Sequence, residues 1–265
     1  MNTSQSITIV MYHYVRPILN TEYPNIKGLE LEKFYKQLDY FEENYSIVET
    51  EDVINSILTD KKLPNNACWL TFDDGYKDHI KYVMPELLKR KISGAFFPPR
   101  NAIIEYNMLD VNSIHFILSC AKSINDLITD LNYLCKHHGI NDNETRSFYK
   151  EYGIANRFDD ANTVYVKRML QYVLPEKIRK NVVALLFKKY VGVSQKNFSR
   201  KLYMNTKEVS ELVKNGMFVG SHGSAHNWLN MISEDQQEKD IVSSLAFLEE
   251  VKAPTSNWIM CYPYG

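Results

Sequence analysis

Two short stretches, far apart in the chain, carry residues able to do chemistry together. Leu70-Thr71-Phe72-Asp73-Asp74-Gly75 is an apolar run that ends in two adjacent carboxylates and a glycine. Such a run reads as a buried strand, and the glycine as the turn that ends it. Two ionised carboxylates at a strand tip repel each other, and burial raises the cost, so a positive group is needed to hold them. The downstream stretch Gly220-Ser221-His222-Gly223-Ser224-Ala225-His226 supplies a candidate. Its two imidazoles stand four residues apart, a spacing that puts both on one face of a helical turn. One Asp with two His makes a three-ligand site for a divalent metal with open positions for water, and the other Asp is left over as a base. Taken alone, Asp-Asp-Gly at a strand end is more often a turn or a helix N-cap, and His-x-x-x-His more often a surface or satisfied pair. Their joint occurrence, each with its own apolar strand (Ala67–Phe72 and Met217–Gly220), favours the metal site, because functional groups collect at the carboxyl ends of strands in α/β folds.

Thr71-Phe72-Asp73-Asp74-Gly75 resembles the first motif of the polysaccharide deacetylase family, carbohydrate esterases related to nodulation-factor and peptidoglycan deacetylases. Ser221–His226 resembles the second, His-Ser/Thr-x-x-His, with Gly223 where Ser or Thr is usual. Tyr262-Pro263-Tyr264-Gly265 resembles the third, which in many members is Arg-x-Pro-Tyr-Gly. The resemblance implies an irregular (β/α) barrel of the polysaccharide-deacetylase type. Residue by residue it implies Asp73 as general base, Asp74, His222 and His226 as metal ligands, and the backbone N–H of Tyr264 as a donor to the oxyanion. Cys261 occupies the place of the arginine that normally orients the base, and Arg100, which follows a strand at the same edge, is either its replacement or a surface residue. Usual members take their general acid from a Leu-x-His motif near the C-terminus, and this sequence stops at Gly265 before one. Both departures resemble the circularly permuted branch that includes the biofilm poly-N-acetylglucosamine deacetylases. There a Tyr-His near the N-terminus supplies the acid, which implies His13 in Tyr12-His13 for that role.

The elements that must position these residues alternate between strand and helix signals, which argues for a mostly parallel sheet with helices outside it. Ile7–Val15 reads as a first strand with His13 at its far end. Leu29, Leu31, Phe34, Leu38 and Phe41 recur at helical spacing, Ile47-Val48 suggests a short strand, and Glu51–Leu58 a helix with Thr50 as its N-cap. After the Asp-Asp strand, a helix is expected over Lys77–Arg90 with Val83, Leu87 and Leu88 inward. Ala95–Phe97 is a strand stopped by Pro98-Pro99. Lys207–Lys214 is a helix closed by Asn215-Gly216, and the His-bearing strand follows. Ser233 caps a helix towards Val251, with Ile241, Leu245 and Leu248 facing in, and Trp258–Cys261 is the last strand. Residues 1–99 and 205–265 therefore read as the barrel, truncated or completed some other way at its C-terminal end.

The segment 100–204 is too long for a plain connection and reads as a helical insertion. Its helical spacings fall over Leu109–Ala121, Ile124–His137, Thr163–Val173 and Lys177–Tyr190, with Asn141–Arg146 and Gly153–Ala161 as loops. An insertion at this edge is expected to wall the substrate groove.

Across 265 residues, 31 basic and 32 acidic side chains leave a net charge of −1, which predicts no broad attraction to nucleic acid or to anionic membrane. The four cysteines show no Cys-x-x-Cys, and Cys68 and Cys261 lie in apolar runs, so thiols are expected rather than disulfides. No basic region precedes the first apolar run and no stretch is long enough to span a membrane, so the chain reads as cytoplasmic. The expected function is hydrolysis of an N-acyl group, N-acetyl first, from an amino sugar of a surface-glycan precursor or oligosaccharide. The expected cofactor is a divalent metal, zinc first, with cobalt or nickel as alternatives. Rival readings are a deformylase or deacylase of another N-acyl substrate, and a catalytically impaired carbohydrate-binding relic.

Overall fold

The computed structural model describes residues 6–19, 21–59 and 61–264. The reading of Met1–Gln5 as lacking a leader, and the Gly265 that closes the third motif, lie outside the described residues. The chain divides into two compact units, one of Met1–Ile18, Gly28–Asn107 and Ser199–Gly265, the other of Leu19–Lys27 and Met108–Phe198.

The first unit is built on a parallel sheet. Strand β1 (Ile7–Tyr12) pairs with β3 (Ala67–Asp73), β3 with β4 (Ala95–Phe97), and β4 with β5 (Phe218–Val219), while the short β2 (Ser46–Ile47) pairs with the start of β3. All seven residues of β3 are buried, as its unbroken apolar run requires. Register puts Tyr12 opposite Phe72 and Phe72 opposite Phe96. The three rings stack across the sheet, with centroids 5.2 and 4.8 Å apart and planes within 16°. Each such pair contributes about 0.5–1.5 kcal/mol beyond its buried area. This aromatic ladder sits one residue before Asp73 and fixes the strand tip. The first strand ends at Tyr12, short of the expected Val15, and the chain then leaves the sheet towards an isolated bridge between Val15 and Leu29.

The helices of this unit are α1 (Leu31–Asn44), α2 (Thr50–Leu58), α3 (Met84–Arg90), α4 (Arg100–Ile104), α11 (Thr206–Lys214) and α12 (Glu234–Glu250). Three details depart from expectation. Glu49, not Thr50, takes the N-cap position of α2, because the Thr50 hydroxyl accepts the Trp69 indole N–H at 3.0 Å. The helix expected over Lys77–Arg90 begins as a π-helical turn at His79–Val83, and Leu88 is 39% exposed while Val83 and Leu87 are buried. Residues 259–261 make a single bridge, Ser221 to Met260, rather than a full strand, although the Ser221 and Cys261 N–H groups both donate across it.

The second unit is helical, with α5 (Asp110–Cys120), α6 (Ile124–His137), α7 (Asp142–Tyr152), α8 (Ala161–Arg168) continuing into a π-helical turn (Met169–Val173), and α9 (Glu176–Val191). Helix α10 (Gln195–Leu202) follows in sequence. The expected loop at Asn141–Arg146 is the start of α7 instead. Its polar residues form a capping box, with Asn141 accepting the Glu144 N–H and Glu144 accepting the Asn141 N–H. An aromatic cluster of Tyr23, Phe116, Phe187 and Phe198, with centroids 4.5–5.5 Å apart, draws the Leu19–Lys27 segment into this unit. No helix among the described residues is long and apolar enough to cross a membrane.

Candidate metal centre

The site lies wholly within the first unit, at the carboxyl end of β3. Two consecutive residues there adopt left-handed backbone, Asp74 at φ +70° and Gly75 at φ +68°. For a non-glycine residue this conformation costs on the order of 1 kcal/mol and persists only where the surroundings impose it. At Gly75 nothing else fits, since a Cβ would lie 2.8 Å from the Pro98 side chain. Beyond this turn the two acids keep different neighbours, Asp74 beside His222 and His226 and Asp73 beside the Cys261 thiol.

Asp74 is fully buried and faces both histidines. Its Oδ1 lies 3.5 Å from His222 Nε2 and 3.3 Å from His226 Nε2, and its Oδ2 accepts a hydrogen bond from the Tyr76 hydroxyl. One ligand atom from each of the three residues falls within 4.8 Å of the others, and all three side chains are buried. A buried cluster of one carboxylate and two imidazoles with their Nε2 atoms turned on a common point is a donor set that suits a divalent transition ion.

His222 is held by its other nitrogen. Its Nδ1–H donates to the Cys261 carbonyl at 2.7 Å, which leaves Nε2 facing Asp74 and open to serve as a ligand atom. The two rings meet edge to face at 4.8 Å. They do not sit on a helical turn, as the four-residue spacing suggested. The segment between them is an irregular loop with left-handed residues at Gly223 (φ +69°) and His226 (φ +55°).

Charge within the cluster is distributed unevenly. Burial works to raise the Asp74 carboxyl, but hydrogen bonds to His222 and His226 outweigh it and hold Asp74 well below the usual carboxylate range. Burial works against a proton on His222, but the contacts with Asp74 and Cys261 win and push this histidine up to about 10. On His226 burial prevails and lowers the imidazole below its ordinary value. Within the protein alone, the proton on His222 is thus the cation that Asp74 holds.

Asp73 is buried beside this cluster. Burial raises its carboxyl above the usual range, and the neighbouring Asp74 charge adds to the rise, while His222, His13 and a Cys261 hydrogen bond oppose it. Cys261 Sγ stands 3.5 Å from Asp73 Oδ2, and Asp73 Oδ1 is buried without a hydrogen-bond partner. The side chain set against Asp73 is thus the Cys261 thiol. Arg100 is not, since its guanidinium is turned to Asn101 and Glu105, each at 2.7 Å. A carboxylate with no guanidinium beside it is a stronger base than one so paired.

His13 directly follows β1. The parallel register of Met11 with Thr71 and Tyr12 with Phe72 carries it alongside Asp73. It is exposed rather than packed into the core, and its charge is felt by both Asp73 and Asp74. Its carbonyl accepts the Nε2–H of buried His79 at 2.9 Å, while Arg16 makes a two-pronged ion pair with Asp78 at 2.7 and 3.0 Å. Tyr14 stacks on Tyr76 at 4.3 Å. The turn after the Asp-Asp pair thus grips the chain that carries His13. Tyr264, at φ +65°, stacks on Trp228 at 4.3 Å and meets the His226 ring at 4.8 Å.

Sequence reasoning did not find Tyr76, His79 or Asp240. Only Tyr76 left a signal, a hydroxyl two residues beyond Asp74 across a turn that folds it back.

The model of the polysaccharide deacetylase family matches residues 147–265, the part of the chain that holds His222, His226 and Tyr264. The fold is shared with solved deacetylases. The Streptococcus pyogenes deacetylase PplD in complex with acetate is 18% identical, with 98% of this chain and 74% of that one covered at a TM-score of 0.53. IcaB from Ammonifex degensii is 17% identical, with coverages of 98% and 76% and a TM-score of 0.50. A de-N-acetylase from Aggregatibacter actinomycetemcomitans is 14% identical, with coverages of 97% and 79% and a TM-score of 0.50. No curated protein matches the chain. Residues 147–265, which hold the second and third motifs, thus resemble the polysaccharide deacetylase family, and the parallel sheet with surrounding helices is the (β/α) barrel type of those enzymes, the fold that the motifs implied.

Proposed function

We propose that the protein is a metal-dependent hydrolase that removes the N-acetyl group from an amino sugar of a glycan or glycan precursor. The observation that carries this reading is the buried Asp74–His222–His226 cluster with a second buried carboxylate, Asp73, beside it and outside the three-residue group. The three clustered residues would hold the ion, with zinc first and cobalt or nickel as alternatives. When bound, such an ion supplies a polarised amide carbonyl and an acidified water. Asp73, raised by burial and free of a guanidinium, takes the proton from the attacking water. The Tyr264 backbone N–H donates to the developing oxyanion. His13 gives the leaving amine its proton, so that the C–N bond breaks to a free amine and acetate.

The test is acetate release from N-acetylglucosamine oligomers, and formate release from an N-formyl amino sugar run beside them, by metal-stripped and zinc-reloaded protein. Acetate release that appears only on reloading supports the reading. Stoichiometric zinc with no release from either substrate would leave a carbohydrate-binding relic, and formate from the N-formyl sugar with no acetate from the oligomers would make the enzyme a deformylase.

A further inference from the structure

The loop between the two histidines has no regular structure of its own, yet its backbone groups are taken up one by one. Asp240 of α12 reaches it with both carboxylate oxygens. Oδ2 accepts the Ser224 N–H at 2.8 Å and Oδ1 accepts the Ala225 N–H at 2.9 Å. The Gly223 N–H donates to the Ser221 hydroxyl at 3.1 Å, which is itself 2.6 Å from the Ser244 hydroxyl. Ser224 Oγ lies 3.2 Å from Ser243 Oγ. Residues 240, 243 and 244 stand at helical spacings of three and four, so one face of α12 grips the loop. The carbonyls are held from the opposite side by the start of α4, with Arg100 N–H donating to Gly223 at 3.3 Å and Asn101 N–H to Ser224 at 2.8 Å.

Asp240 is 94% buried, at 6% exposure, so its carboxylate is committed to these amides rather than to water. Its position also accounts for Gly223. A Cβ at that residue would stand 2.6 Å from Asp240 Oδ2, and the backbone is left-handed there. The carboxylate and a side chain at 223 exclude each other.

We propose that Asp240 is the positioning residue of the metal site: its two-pronged hold on the Ser224 and Ala225 amides sets the separation and aim of His222 and His226, and makes glycine obligatory at 223. The inference rests on the reading of Asp74, His222 and His226 as metal ligands. It concerns affinity for the ion, because the hydrogen bonds of the Asp240 carboxylate go to the loop amides between the histidines, through which it acts.

The experiment uses the full chain and zinc alone, with affinity read by competition against a chromophoric chelator. Partners that orient ligands from behind are worth about 10–100-fold in metal affinity. Asp240→Asn, which presents a second donor to one of the two amides, is expected to weaken zinc by that amount. Hydrogen exchange at the Ser224 and Ala225 amides should quicken, while turnover at saturating zinc returns towards that of the unaltered protein. Gly223→Ala should also weaken zinc, and should do so less in an Asp240→Ala background, where the obstructing oxygen is gone. Unchanged zinc affinity in the folded Asp240 variants, with only the thermal midpoint lowered, would reduce Asp240 to a structural role and overturn the proposal. Equal losses from Gly223→Ala in both backgrounds would overturn the steric link. If the unaltered protein binds no zinc, the metal reading itself fails and takes this inference with it, an outcome the first titration distinguishes from the others.

Discussion

Loading the site with zinc should expel one proton, and that proton should come from His222. A ligating imidazole must be neutral, and metal affinity therefore depends on pH through whichever ligands are protonated beforehand. His222 is pushed up to about 10 by Asp74 and Cys261 against the effect of burial, so it carries its proton at neutral pH. His226 is held below its ordinary value of 6.5 by burial and is already neutral there, and Asp74 is ionised. The sign follows. A raised imidazole competes with the ion at low pH and stops competing as pH rises through its own value. Zinc affinity should rise about tenfold, or about 1.4 kcal/mol, for each pH unit above neutrality and level off towards about pH 10. Calorimetry in buffers of different ionisation enthalpy counts the protons released, and chelator competition across the same range gives the slope. A slope of zero would refute the reasoning by showing His222 neutral beforehand. A slope of two near neutral pH would refute it in the other direction, by showing both histidines protonated.

Three further outcomes are expected. Asp73→Asn should keep its zinc and lose about 10²–10⁴-fold in turnover number, the worth of a positioned general base, whereas loss of zinc on chelator titration would reverse the two aspartates. His13→Ala should bind zinc normally and lose most of its turnover on an amide, but much less on an activated ester whose leaving group needs no proton; equal losses on both substrates would remove the general-acid role. Tyr76→Phe leaves a buried carboxylate oxygen of Asp74 without its hydroxyl donor, so urea unfolding should show a loss on the order of 1–3 kcal/mol and chelator competition a weaker site. Unchanged values in both assays would show that the hydroxyl contributes nothing.

Much of the first unit was legible because its signals are local. The apolar run into Asp73 is a strand buried along its whole length, and the Ser233 start of α12 is a capping box that residue type and spacing announce. What stayed hidden depends on contacts between distant residues. The His222–His226 spacing suggested a helical turn because the force that shapes the loop comes from Asp240, which in sequence is one more charge in the polar start of a surface-type helix. Helix α7 was missed for a related reason, since Asn141–Arg146 is polar throughout and its capping box was read as a loop. The fate of the missing arginine was invisible as well. Cys261 and Asp73 stand far apart in the chain, and only the Ser221–Met260 bridge brings the thiol to 3.5 Å from the carboxylate.

The central claim is that Asp74 and the two histidines hold a divalent ion while Asp73 stays free to act as the base. Anomalous scattering at the zinc edge from crystals of zinc-loaded protein tests it most directly. The account predicts one strong peak bonded to an Asp74 carboxylate oxygen, His222 Nε2 and His226 Nε2, with the Asp73 carboxyl outside bonding distance. A peak bonded to Asp73 in place of Asp74, or no peak between the two histidines, would contradict it.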